Sequence, residues 1–124
     1  MSLQKRLRIT LYALLALVAV TLATDRLIMW RFNPLNSNSP KTVVLYSAAW
    51  CGLCARIRTC LKASDVPFEE RDVEKSLRAS AEWWALRVRG VPATLVGPEL
   101  IYGFNTKKLT ASLDSAGFAV QCWK

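Results

Sequence analysis

Two cysteines three residues apart, Cys51 and Cys54, are the residues of this sequence best suited to covalent chemistry. A thiol exchanges with a disulfide only as thiolate, so a redox centre has to stabilise negative charge on one sulfur. A helix N-terminus does this, because its unpaired backbone N–H groups and its dipole point at the charge. Cys51 stands where an apolar run gives way to a helical pattern, which puts it at such a terminus. Cys54, one turn later, can attack a mixed disulfide formed on Cys51. Cys51 is therefore read as the attacking nucleophile and Cys54 as the resolving cysteine of a redox-active disulfide. Gly52 allows the tight entry, and Leu53 is an uncharged cover.

The rest of the composition narrows the chemistry. There is no histidine, which removes Cys–His nucleophilic catalysis and Cys/His zinc sites. A CxxC pair can be half of a zinc clip, but Cys60 and Cys122 lie too far apart in sequence to supply the recognised second half, so no metal site is expected. Cys60 falls on the apolar stripe of a helix, where a buried small hydrophobe is the default. Cys122 sits in the tail, and the sequence leaves open whether the two are bridged. The net charge of +8 divides evenly, +4 in residues 1–40 and +4 in residues 41–124. The first half belongs to a targeting segment and the second is spread without a run, so no nucleic-acid partner is expected.

Several elements must position the pair. Thr42–Tyr46 reads as a buried central strand. Leu53, Ile57, Cys60, Leu61 and Ser64 recur at helical spacing after Cys51. Residues 67–73 (PFEERDV) read as a more exposed strand. Lys75–Arg87 reads as a second helix that buries Leu77, Ala81, Trp84 and Ala85. Trp83 and Trp84 cannot both face the core. Ala93–Val96 and Leu100–Tyr102 form a hairpin across Gly97-Pro98-Glu99. Asn105 caps a last helix with Leu109, Leu113 and Ala116 as its stripe and Gly117 at its end. The order β-α-β-α-β-β-α builds a mixed four-stranded sheet with helices on both faces. Residues 42–117 make this domain and 118–124 a C-terminal tail.

Residues 1–32 are a signal anchor or a signal peptide. Lys5, Arg6 and Arg8 precede sixteen uncharged residues, Ile9–Thr24. A helix carried on to Trp30 reaches spanning length and sets that indole near the interface. Thr21-Leu22-Ala23, in turn, has the small residues a signal peptidase needs. The basic excess before the run keeps the N-terminus inside and places the domain in the periplasm or otherwise outside the cytoplasm, either anchored or secreted after cleavage. Residues 33–41, rich in Asn, Ser and Pro, read as a linker.

Ser47-Ala48-Ala49-Trp50-Cys51-Gly52-Leu53-Cys54 resembles the Trp-Cys-Gly-x-Cys motif of thioredoxins. Val66–Val73, Gly90–Val96 and Ile101–Asn105 resemble the second strand, the cis-proline strand and the final strand of glutaredoxins. The resemblance implies a thioredoxin fold, a cis Val91–Pro92 peptide facing the cysteines, and a substrate-binding surface of Trp50, Val91 and Pro92. It implies a disulfide-containing protein or a glutathione-type substrate, with glutathione as co-substrate rather than bound cofactor. Ala48 stands where glutaredoxins carry a lysine for glutathione, and Gly103-Phe104-Asn105-Thr106 replaces their Gly-Gly and acidic pair. Arg87, Arg89 and Lys107 are left to serve a carboxylate.

The reading is thus a membrane-tethered or secreted thiol–disulfide oxidoreductase. Two other classes fit the same domain: an iron–sulfur or copper protein using Cys51, which a visible absorption band would reveal, and a non-catalytic partner-binding module. Neither the electron donor nor the direction of transfer is written in the sequence.

Overall fold

The structure is a computed structural model that describes residues 2–36 and 42–123. Of the linker expected at 33–41, residues 37–41 lie outside the described residues, as does Lys124 of the tail. The elements run α1 (Leu3–Phe32), a short 3-10 turn (Pro34–Asn36), β1 (Val43–Ser47), α2 (Gly52–Ala63), β2 (Glu69–Asp72), α3 (Leu77–Ala85), β3 (Ala93–Val96), β4 (Glu99–Tyr102) and α4 (Thr106–Ser115).

The four strands form one sheet in the order β2-β1-β3-β4. β1 pairs parallel with β2 and antiparallel with β3, and β3 pairs antiparallel with β4. All five residues of β1 are buried, as a strand covered on both faces requires. Side chains alternate along a strand, so β1 feeds two cores. Val43 and Leu45 join Ile57, Cys60 and Leu61 of α2 and Leu109 and Leu113 of α4. Val44 and Tyr46 meet Leu86, Val88, Ala93 and Leu95 on the other side. Gly97, at φ 57°, takes the left-handed position of the β3–β4 turn, and Gly117, at φ 91°, closes α4. The Asn105 side chain accepts from the Lys108 N–H at 3.0 Å and caps α4 as expected. This is the thioredoxin fold.

Two helix faces differ from the sequence reading. In α2 the buried set is Cys54, Ile57, Cys60 and Leu61, while Leu53 is exposed. In that first turn the inward place goes to Cys54, which is fully buried, and Leu53 beside it faces outward. In α3 the inward residues are Ala79, Glu82 and Ala85, while Leu77 and Trp84 are exposed and Ala81 half-buried. The helix also starts later than predicted, capped by Ser76, whose side chain accepts from Ala79 N–H at 3.2 Å. It ends before Arg87, which at φ 56° takes the left-handed turn usually given to glycine.

The inward glutamate explains the rotation of α3. Glu82 is only 4% exposed, and three donors satisfy it. The Tyr46 hydroxyl donates at 3.0 Å, Arg78 Nε at 3.0 Å, and Arg71 pairs with it as well. A buried carboxylate is tolerable only when paired and hydrogen-bonded in this way. Burial, then the Glu82 carboxylate beside it, pushes the Tyr46 phenol up. Arg71 is held charged by hydrogen bonds to Glu69 and Glu82.

α1 is one continuous helix of 30 residues, about 45 Å at the usual rise. It is long and apolar enough to cross a membrane, and none of its residues is buried within the protein. Its C-terminal end meets the domain: α1 touches α3, and Pro34 just after it is buried.

Candidate redox site

The site lies where β1 ends. Ser47 leads into a turn in which Cys51 N–H donates to Ala48 C=O at 3.0 Å, and α2 begins at the next residue, Gly52. Cys51 is the N-cap of α2, and its sulfur accepts from Cys54 N–H at 3.1 Å. The two cysteines are joined as a disulfide with Cα atoms 5.2 Å apart. Cys51 is 8% exposed and Cys54 0%, so the cap sulfur is the one nearer solvent.

The other expected site residues fall around this pair. The Val91–Pro92 peptide is cis. Register explains its position, because Ala93 pairs with Tyr46 and so brings the preceding residues to the end of β1. Val91 packs with Ala48, Cys51 and Cys54 in one small cluster, and Pro92 C=O is held by Gly103 N–H at 2.9 Å. Trp50 is 71% exposed, with its indole N–H donating to Glu74 at 2.9 Å. Trp50, Glu74, Trp83, Arg89 and Val91 border a cleft of about 330 Å³ beside the pair. The Trp83 indole N–H is buried there without a partner among the described residues.

On the opposite side, Ala48 and Ala49 face Arg58, Glu70, Asp72 and Lys75 across a second hollow. Arg58 is bound to Glu70, which also accepts from the Ser47 hydroxyl at 2.7 Å. The Arg58 hydrogen bond, then that of Ser47, holds the Glu70 carboxyl below its usual range. Of the three cations left to serve a carboxylate, only Arg89 borders the cleft at Trp50 and Val91. Lys107 lines a separate groove with Thr110 and Trp123, and Arg87 lines neither.

A glutaredoxin family model matches residues 43–101, which contain the cysteine pair, the cis proline, β1 to β3 and all of β4 but Tyr102. Over these residues the chain is similar to the glutaredoxins. Two Mycobacterium tuberculosis proteins (strains CDC 1551 / Oshkosh and ATCC 25618 / H37Rv), whose names assign them provisionally to the glutaredoxins, are 39% identical over 41 residues. That stretch is 33% of this chain, and the chain spans about half, 48%, of these relatives. Among solved structures, the thioredoxin-like protein BC3987 is 27% identical with a TM-score of 0.57, over 60% of this chain and 96% of that one. A buckwheat glutaredoxin crystallised with glutathione shares the fold at 22% identity and a TM-score of 0.56, over 76% of this chain and 94% of its own. The matched segment holds the Cys51–Cys54 disulfide, the group through which a thiol–disulfide exchange would run.

Sequence reasoning missed two features of this structure and left a third open. The Trp50–Glu74 hydrogen bond joins residues 24 apart. The Glu82 cluster involves a residue type that patterning assigns to solvent. Cys60 and Cys122 form a second disulfide, with Cα atoms 5.7 Å apart and a sequence separation of 62. The i,i+4 spacing of Arg78 and Glu82 was the one local signal available for the buried glutamate.

Proposed function

We propose that the protein exchanges disulfides through Cys51, acting on protein or small-molecule disulfides outside the cytoplasm from a membrane tether. The observation that carries the mechanism is the cap geometry: the Cys51 sulfur accepts the Cys54 amide at the N-terminus of α2. A thiolate there gains both the hydrogen bond and the helix dipole, whereas Cys54 lies inside the first turn and fully buried. The substrate sulfur attacks or is attacked at Cys51, and the backbone of Val91, beside the pair, offers an edge to an extended substrate. Trp50 and Trp83 flank the approach. Glutathione remains a candidate co-substrate, for which Arg89 is the cation best placed near the cleft. Alkylation of the reduced protein near neutral pH should label Cys51 well before Cys54. Equal rates at the two positions would remove the nucleophile assignment.

The tether rests on α1 as a signal anchor. The orientation follows from Lys5, Arg6 and Arg8 before the apolar run, which outnumber Arg26 and Arg31 after it, these two being partly offset by Asp25. Alkaline phosphatase fused to the C-terminus should then be active in a bacterial host, because that reporter folds only outside the cytoplasm. Activity from a cytoplasmic reporter alone would overturn the location. A mature N-terminus after Ala23 would instead mean a secreted protein.

A further inference from the structure

Three guanidinium groups converge where the apolar helix meets the domain. Arg31 at the end of α1, Arg71 in β2 and Arg78 in α3 line a cleft of about 140 Å³, with Asn33 and Glu82. Three cations against one carboxylate leave a net positive lining. They are not equally committed. Arg71 bonds both Glu69 and Glu82. Arg78 gives its Nε to Glu82 and remains largely exposed, its side chain at 75%. Arg31 makes no ion pair among the described residues. The Glu82 carboxylate is itself saturated by Tyr46, Arg71 and Arg78, which lowers its power to repel an anion.

The position of this cleft gives it meaning. α1 is long and apolar enough to cross a bilayer and stops at Phe32, one residue before Asn33 of the lining. Trp30 is exposed one turn or less above it, at the level an interfacial aromatic occupies. A guanidinium pair at that level meets headgroup phosphates, and its planar N–H forks match phosphate oxygens. We propose that the cleft of Arg31, Arg71 and Arg78 binds the phosphate of an anionic phospholipid, holding the domain against the bilayer surface. The inference rests on α1 lying in the membrane. A lipid is favoured over free phosphate because the bare apolar side of α1 above the cleft offers a path for acyl chains. Bound there, the lipid joins α1, β2 and α3 and fixes how the redox site is presented.

The test uses the full chain. Co-sedimentation with phosphatidylcholine vesicles comes first, since α1 inserts regardless of headgroup charge. Failure there overturns the membrane reading and the lipid site with it. The protein in detergent is then offered phosphatidylglycerol, phosphatidylcholine or inorganic phosphate, and retained adducts are counted by native mass spectrometry. Phosphatidylglycerol should be retained preferentially, with Arg31→Gln cutting the preference about fivefold and Arg31→Gln with Arg78→Gln cutting it further. Arg31→Lys should keep most of it. Arg31 makes no ion pair with this network among the described residues, so its variant separates binding from folding if Arg78→Gln weakens the domain. Equal retention of both lipids, or an unchanged preference in Arg31→Gln, overturns the lipid site while leaving the membrane reading intact. Inorganic phosphate bound as well as phosphatidylglycerol would mean a free-anion site and would equally overturn it.

Discussion

Cys54→Ser protein is expected to accumulate mixed disulfides on Cys51 and to lose turnover, whereas Cys51→Ser protein should lose both turnover and trapping. The reasoning follows the bonds. In the reductive direction a Cys51 thiolate attacks the substrate disulfide, one substrate sulfur leaves as thiolate, and the other stays bonded to Cys51. Only a second thiolate can free it. Cys54, with its Cα 5.2 Å from that of Cys51 and no solvent exposure, is placed to attack this intermediate and little else. Serine keeps the size of the side chain but cannot take over that attack, so the covalent complex persists and runs as a reductant-sensitive band on a non-reducing gel. A substrate linked to glutathione gives a second readout. If glutathione is the donor, it resolves the intermediate itself and the Cys54→Ser protein keeps activity on such substrates. Loss there too would mean a two-cysteine route, in line with Ala48 standing where the glutaredoxin resemblance implies a lysine. Trapping through Cys60 or Cys122 with Cys51 absent would mean the wrong centre has been named.

How much of this was legible depends on how local each determinant is. The strand, cap and helix around Cys51 are set by residues within a few positions of each other, so the apolar run, the helical spacing after it and the CxxC motif were enough. The cis proline came only from resemblance, since nothing in Val91 or Pro92 alone distinguishes the isomer. The α3 face was misread because Glu82 counts as polar in any periodicity argument. Its burial depends on Tyr46 and Arg71, partners 36 and 11 residues away. Leu53 was misread for the opposite reason: it has the right spacing and polarity, but the inward place in its turn goes to Cys54. The segment after α1 read as a tether, yet Pro34 is buried against the domain, which composition cannot convey. The second disulfide joins α2 to the C-terminal tail, and four cysteines allow three full pairings without preferring one.

That second disulfide carries the largest expected effect on stability. Cys60–Cys122 closes a loop with 62 residues of sequence separation, against 3 for Cys51–Cys54. On the chain-entropy account, removing the long loop costs about 4 kcal/mol and the short one under about 2. Cys60→Ala with Cys122→Ser should therefore lower the melting temperature by on the order of 20 °C for a domain of this size. Cys51→Ser with Cys54→Ser should lower it far less, and thermal circular dichroism without reductant compares the two. The tail has other anchors: Val120 is fully buried, and the Trp123 indole donates to Thr110 at 2.8 Å while packing on Phe104. A drop of only a few degrees would mean these contacts hold the tail unaided. The same helix also sets the order of reduction. Cys51 caps the N-terminus of α2, whereas Cys60 is buried in its last turns, where the carbonyl end of the dipole disfavours a thiolate. Opening Cys60–Cys122 must expel that unfavourable thiolate or reach its buried sulfur, so its exchange is slow. Under graded reductant, mass spectrometry after alkylation should find two modified cysteines, at Cys51 and Cys54, before any species with four. Simultaneous opening of both bridges would show that the position of each cysteine along α2 does not govern its reactivity.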